Sequence, residues 1–305
     1  MTEYETLEGS ALWREFEKEF LNGVGMHLLG LGQTRTGKTQ KAYQIVKWQL
    51  NRGDTIVWFD SGKSGEILPL CDFGRPVNII TPAGIKVEVT GCKGTVTYSE
   101  CQKERFFWDE IKTGAINIFS FRRAFRDVVD LSKYGANIMK GLVDASYDEI
   151  PLPTPLDVHI DEFAQVCPCF NLMENPYQKA MASRVSLALK NLGSMGIKIC
   201  AYDQAWRDIY PNARRQFPFL MLCRNPGLGQ DAGLPDRYRN IFSDLRVDQA
   251  QFIFPWREWK GYWHFRYFPL PEGMSVKYSG QLTAPQRKQK RVVETWQKVV
   301  VDDTS

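Results

Sequence analysis

Gly32-Gln33-Thr34-Arg35-Thr36-Gly37-Lys38-Thr39 is the stretch on which the reading of the whole chain turns. Two glycines, four residues between them and a following Lys-Thr make the spacing of a phosphate-binding loop. Glycine lets the backbone curl where a Cβ would forbid it. The curl aims successive N–H groups at one anion. A helix beginning at the loop adds its partial positive end. Lys38 can then reach β- and γ-phosphates, the Thr39 hydroxyl can ligate Mg²⁺, and Gln40 completes the expected nucleotide-contacting segment. The octet fixes few positions, and a chance glycine-rich turn could satisfy it, so its setting decides. Before it, Gly25 to Leu31 is a short apolar run that reads as a buried strand. After it, Thr39 to Asn51 reads as a helix with Ala42, Ile45, Val46 and Leu50 on one face.

Working outward, residues 9–21 carry Leu12, Trp13, Phe16, Phe20 and Leu21 at helical spacing and predict an amphipathic leading helix. Thr55 to Phe59 reads as a second buried strand, ending at Asp60. Residues 76–121 hold short β-rich pieces separated by turns and read as an insertion that ends in a strand feeding back toward the core. A helix is expected from Phe125 to Ala145. Pro151, Pro153 and Pro155 forbid helix in the connector that follows. Leu156 to Ile160, Ile197 to Tyr202 and Phe219 to Cys223 read as further core strands, with a helix from Pro176 to Leu192. Gln251 to Phe254 and Gly261 to Tyr267 predict a hairpin, and residues 284–299 a basic amphipathic helix. Strands alternating with helices predict an α/β P-loop NTPase fold with a mainly parallel central sheet and helices on both faces. The expected divisions are an N-terminal helical segment at 1–24, a core at 25–270 and a basic C-terminal tail at 271–305.

Polar residues cluster just after the strand ends, where open α/β sheets bind ligands. Leu156-Asp157-Val158-His159-Ile160-Asp161-Glu162 is a strand ending in two acids. Asp161 is expected to hold Mg²⁺, and Glu162 to polarise the attacking water as general base. Such a pair is costly to bury unless a cation offsets it; a surface acidic pair is the bland alternative. His159, inside the strand, reads as a core or surface-facing histidine rather than a ligand. Gln204 ends the strand of residues 197–202, where hydrolases with an extra strand between the phosphate-loop and Asp-Glu strands hold a γ-phosphate sensor. A simple strand-end cap is the alternative.

The bulk numbers exclude several classes. The chain has 305 residues, 43% hydrophobic and 24% charged, with a net charge of +4. That is ordinary for a globular protein and well short of the footprint of a dedicated DNA-binding domain. No run approaches the ~18 apolar residues of a membrane span, and the acidic start, Met1-Thr2-Glu3-Tyr4-Glu5, is not a secretory signal. Seven cysteines without a C-x-x-C pair predict free thiols in a reducing, cytoplasmic setting. Most read as small buried hydrophobes, although Cys167-Pro168-Cys169 could be half of a metal site.

Four segments carry a resemblance to the FtsK–HerA superfamily of DNA-pumping ATPases, which includes conjugative coupling proteins and packaging ATPases of membrane-containing viruses. Gln33 to Thr39 is similar to the coupling proteins' Thr-Arg-Ser-Gly-Lys loop. Phe59-Asp60-Ser61-Gly62-Lys63-Ser64-Gly65-Glu66 resembles their Asp-x-Lys-Gly-Glu segment. Ile160 to Phe163 looks like the family's Asp-Glu strand, and Gly196 to Gln204 is similar to the strand ending in its glutamine. The match spans about residues 25–225. It departs at Leu189-Lys190-Asn191-Leu192-Gly193-Ser194, where the family often has an Arg-Lys pair. The arginine finger is therefore open among Arg184, Arg215 and Arg224, with Arg224 preferred because it follows a strand. Lys63 lacks the upstream glycine of a second phosphate loop.

The resemblance implies ATP and Mg²⁺ as cofactors and a hexameric ring around double-stranded DNA, in the cytoplasm or, for a virus, host cytoplasm or virion. A capsid or membrane-portal protein is a further implied partner. Arg122, Arg123 and Arg126 are candidate DNA contacts, as is the tail Gln286-Arg287-Lys288-Gln289-Lys290-Arg291; basic residues grip phosphates without reading sequence. A solvated basic face is the alternative for both. Because other family branches carry membrane helices or large extra domains, the expectation falls on viral genome packaging. A zona occludens toxin-like export ATPase and a coupling-type motor without its anchor are the other readings.

Overall fold

The computed structural model describes residues 7–60, 62–63, 65–125, 127–147, 152–153, 155–173, 176–234, 245–255 and 258–280. Where one leading helix was expected, the chain forms a 3₁₀ turn (Leu7–Gly9), a single turn α1 (Trp13–Phe16) and a π-helical stretch (Glu17–Leu21). Phe16 seals this segment against the body, its ring 5.6 Å from Trp48 and 5.2 Å from Phe252. β1 (Leu28–Leu31) follows, buried at every position, as a strand covered on both faces must be. The helix α2 (Lys38–Arg52) starts one residue after Gly37 and ends at the left-handed Gly53. β2 (Thr55–Phe59) matches its expected bounds and is also wholly buried.

After the short α3 (Leu68–Cys71) come β3 (Val77–Pro82), β4 (Ile85–Thr90), β5 (Val96–Cys101) and β6 (Ile116–Phe119). The long helix α4 (Val128–Tyr147) leads to β7 (Leu156–Ile160), α5 (Pro176–Ser194) and β8 (Ile197–Asp203). A short α6 (Pro211–Arg214) precedes β9 (Phe219–Leu222), β10 (Gln249–Phe254), β11 (Glu258–His264) and β12 (Ser275–Gly280).

Ten strands form one sheet in the order β11-β10-β9-β1-β8-β7-β2-β6-β3-β5. The eight from β9 to β5 are parallel, and β10 and β11 close one edge antiparallel. Alternate residues face opposite cores. Val57 and Phe59 pack with α4 and α5 on one side, while Ile56 and Trp58 pack with α2 on the other. Full burial of each such side chain contributes about 1.5–3 kcal/mol, which is why these strands read as uninterrupted apolar runs.

Two expectations change. The β-rich stretch at 76–121 is less separate than an insertion: β6 returns to the core as expected, but β3 and β5 also continue the main sheet in parallel register. Only β4 leaves it, pairing antiparallel with β12. Residues 275–280, assigned to the basic tail, are therefore a strand of the folded body. The expected helix at 284–299 and the tail cluster at 286–291 lie outside the described residues. No helix among the described residues is long and apolar enough to cross a membrane.

Candidate nucleotide site

Because the eight central strands are parallel, their carboxyl ends share one edge. β8 lies between β1 and β7, with Leu31 opposite Asp203 and Ile160 opposite Ala201. Adjacent strands are about 4.8 Å apart. The turns after β1, β8 and β7 therefore bring Gly32, Gln204 and the Asp161–Glu162 pair to one place.

The phosphate loop has the curl its sequence predicts. Arg35 and Gly37 both take positive φ, 64° and 76°. A Cβ on Gly32 would come within 2.6 Å of the Cys223 Cβ, so only glycine fits there. The Gly32 N–H donates to the Asp203 carbonyl at 3.2 Å, and the Gln33 N–H to the Arg224 carbonyl at 3.0 Å. Thr36 is buried, and its hydroxyl donates to the Gln33 carbonyl at 2.7 Å. The Lys38 ammonium folds back over the loop onto the carbonyls of Gly32 (2.5 Å) and Gln33 (3.0 Å). Burial lowers its pKa, against the opposing charges of Cys223, Asp161 and Asp203.

A cavity of about 260 Å³ is lined by Thr34, Arg35, Gly37, Lys38, Thr39 and Gln40 of the phosphate loop and the start of α2. Lys63, Asp161, Glu162, Asp203 and Gln204 line it as well. Gln33 faces an adjoining cavity of about 470 Å³ that shares Gln204, and its side-chain oxygen accepts from Asn225 Nδ2 at 3.1 Å. The Gln40 amide brackets the Phe268 backbone, donating to its carbonyl (3.1 Å) and accepting from its N–H (2.5 Å).

The two acids differ in setting. Asp161 is 2% exposed, and its Oδ1 accepts from the Glu162 N–H at 2.9 Å. Glu162 stands at φ 52°, a left-handed conformation that a non-glycine residue adopts at a cost of about 1–2 kcal/mol. Lys63 Nζ lies 2.6 Å from Glu162 Oε1 and 3.5 Å from Asp161 Oδ2. Burial pushes the Glu162 carboxyl up, but the Lys63 hydrogen bond and charge, then Arg122 and Lys38, hold it below the usual range. Burial acts to lower the Lys63 pKa; the Asp161 charge and the contact with Glu162 outweigh it and raise it.

Among the described residues, no group of three or more His, Cys, Asp or Glu side chains is placed to hold a metal ion. The cavity does offer a carboxylate, Asp161, and a hydroxyl, Thr39. Such hard oxygen donors suit Mg²⁺, which retains waters and takes further ligands from phosphate.

Arg122 corrects an expectation. It was a candidate DNA contact, yet it is only 5% exposed, and its Nη2 donates to the carbonyls of Asp161 (2.5 Å) and Glu162 (3.2 Å). It is spent inside the fold on the turn that carries both acids. Arg123 is exposed, donates to the Gly62 carbonyl at 2.7 Å and stacks on Tyr278 at 4.1 Å. Arg126 lies outside the described residues. Arg224 is exposed two residues beyond β9's last paired position, Leu222, and its carbonyl borders its own chain's phosphate loop. Arg184 and Arg215 are exposed as well.

His159 is a core histidine, bonded to Tyr202 (3.0 Å) and Gln49 (2.7 Å), with burial lowering its pKa to about 3. Five of the seven free cysteines are buried, Cys167 among them.

Sequence reasoning passed over Asp203 as a site residue. It is 4% exposed and accepts the N–H groups of Ala164 and Gln204. Burial, against those two hydrogen bonds, raises its pKa to about 7. Its place at the end of a buried strand, directly before the singled-out Gln204, was the available signal. Glu66 was also left without a role. Both its oxygens are buried without a hydrogen-bond partner. Burial, with the charges of Asp161 and Asp60, pushes its carboxyl well above the usual range.

The strand order and loop define a P-loop NTPase fold of the type with an extra strand between the phosphate-loop strand and the Asp-Glu strand. No sequence-family profile matches the chain, and no curated protein matches it in sequence. Solved structures do match. VirB4 of Thermoanaerobacter pseudethanolicus aligns at TM-score 0.52 and 8% identity, over 80% of this chain and 90% of that one. The genome packaging NTPase B204 of Sulfolobus turreted icosahedral virus 2, in complex with AMPPCP, aligns at 0.49 and 9%, over 79% and 98%. The pCW3 conjugation coupling protein TcpA aligns at 0.47 and 14%, over 81% and 61%. The likeness to VirB4 shows the same fold.

Proposed function

We propose that this chain is an ATP-hydrolysing motor subunit that moves double-stranded DNA, and that its task is viral genome packaging. The observation that carries the hydrolase reading is the convergence of Lys38, Asp161, Glu162 and Gln204 on one cavity at the carboxyl edge of the sheet. In this reading the phosphate loop and Lys38 hold the β- and γ-phosphates. Thr39 and Asp161 would hold Mg²⁺, which would neutralise charge developing on the phosphates. Glu162 takes the proton of the attacking water as its oxygen bonds to the γ-phosphorus. The bond to the β-phosphate oxygen breaks, and ADP leaves with the electron pair. Gln204 senses whether a γ-phosphate is present.

The DNA part rests on the resemblance of the four sequence segments, supported by the fold. It carries with it a hexameric ring in which an arginine, Arg224 on this reading, completes a neighbour's site. Arg123, exposed beside the loop that bears Lys63, remains available to a DNA phosphate.

The test is ATP turnover with and without double-stranded DNA at low salt, where phosphate contacts are strongest. Stimulation that fades as salt rises is expected. Turnover indifferent to DNA would sink the translocase reading and favour an export ATPase.

A further inference from the structure

The loop after β2 brings a second lysine into the nucleotide cavity, and both ends of that loop are pinned. On one side Asp60 accepts the Ser120 hydroxyl (2.6 Å), the Tyr278 hydroxyl (3.0 Å) and the Gly62 N–H (2.9 Å). On the other, the Glu66 carbonyl accepts the Tyr43 hydroxyl at 2.5 Å. Between them the Lys63 side chain is 55% exposed, its ammonium 2.6 Å from Glu162 and 3.5 Å from Asp161. Lys38 is close enough for the two like charges to act on each other. Two ammonium groups from two different loops thus converge on one acidic pair.

This placement conflicts with hydrolysis unless Lys63 moves. A carboxylate held in an ion pair is a poor proton acceptor for water, so Glu162 must be released before it can act as base. Asp161 must likewise be open to a metal. Lys63 is half exposed but the Glu162 side chain only 24% exposed, so the pair costs more to break than the ~0–1 kcal/mol of a fully solvated one, and an incoming negative charge must offset that cost. The γ-phosphate, arriving in the same cavity, offers the densest negative charge a freed ammonium could reach.

We propose that Lys63 is a γ-phosphate-reading lysine, parked on Glu162 until a nucleoside triphosphate arrives and then transferred to its terminal phosphate. Arrival of the triphosphate and release of the general base become one event. A diphosphate, held by the loop and Lys38 but lacking the terminal group, leaves Lys63 where it is. The inference rests on the nucleotide-hydrolase reading above.

The experiment measures ATP and ADP affinity by titration calorimetry in EDTA, for wild type, Lys63→Met, Glu162→Gln and the double variant. Thermal melting confirms that each is folded. Loss of one charge-assisted phosphate contact is worth about 10- to 100-fold in affinity. Lys63→Met should weaken ATP by that factor and leave ADP within about threefold. The double variant should show the same ATP-specific loss relative to Glu162→Gln. Equal losses for ATP and ADP, or no loss for either, would overturn the proposal. So would an ATP-specific loss that vanishes in the Glu162→Gln background, since the effect would then be repulsion from an unmasked Glu162. A folded wild-type protein that binds neither nucleotide would instead bring down the hydrolase reading itself.

Discussion

Arg122→Met separates a residue that aims the proposed general base, Glu162, from one that touches DNA. The Arg122 guanidinium is buried and donates to the carbonyls of Asp161 and Glu162. Hydrogen bonds from a charged donor contribute about 1.5–3 kcal/mol each, so the two together give roughly 3–6 kcal/mol. Against this, Nε and Nη1 are buried without a hydrogen-bond partner, at about 1–3 kcal/mol each, or roughly 2–6 kcal/mol together. The two terms offset to within about 1 kcal/mol at their midpoints, so the guanidinium acts on the placement of the turn, whose left-handed Glu162 backbone costs ~1–2 kcal/mol, more than on global stability. Methionine fills the space but restrains neither carbonyl, so the turn relaxes and the carboxylate drifts. A misplacement of about 1 Å can lower turnover about 100-fold. The phosphate loop belongs to another strand, so ATP affinity should stay within about threefold of wild type, on the order of the ±0.5 kcal/mol of an uncoupled site. The assays are urea unfolding, steady-state ATPase without DNA, and calorimetric ATP binding. Wild-type DNA-free turnover combined with a flattened salt dependence of DNA stimulation would refute the positioning role and restore the DNA contact. Loss of ATP binding in step with turnover would show that Arg122 supports the whole site rather than one turn.

Two further predictions concern the acids. Glu162→Gln should retain ATP binding and lower turnover by about 10²–10⁴-fold, the usual contribution of a general base; unchanged turnover in a steady-state assay would remove Glu162 from that role. Asp203 has a folded pKa raised from 3.8 to about 7. Between those values the folded state holds the extra proton, so stability falls as pH rises through that window, by about 1.4 kcal/mol per pH unit and roughly 4 kcal/mol in all. Asp203→Asn cannot ionise, so its stability relative to wild type, measured by urea unfolding, should improve between pH 4 and pH 8. A constant difference would mean that Asp203 is already ionised at pH 4.

Much of the fold was legible because the strands in the middle of a parallel sheet are buried on both faces. Thr55–Phe59 reads as a nearly continuous apolar run for that reason, and Leu156–Ile160 as a core strand although Asp157 and His159 interrupt it, both with matching bounds; the acids after Ile160 and the amide after β8 marked the site. What lies at the edges was less legible. β12 finds its partner β4 far back in the chain, and nothing local in 275–280 distinguishes a strand from a tail. The texture of 76–121 was read correctly as β-rich, but whether those strands extend the main sheet depends on which neighbour they pair with, and periodicity carries no such information.

The sequence by itself determined the phosphate loop, the strand-end acids and the α/β alternation, because each depends on spacing within a few residues. Only the tertiary structure decided the fate of individual charges. Arg122 and Arg123 are adjacent, yet one is buried beneath the Asp161–Glu162 turn and the other is exposed over Tyr278. Lys63 and Glu162 are 99 positions apart and form an ion pair. Asp203 ranks as a site residue only because β8 is inserted between β1 and β7. A charge takes its role from what surrounds it in space, and in this sheet those neighbours come from strands distant in sequence.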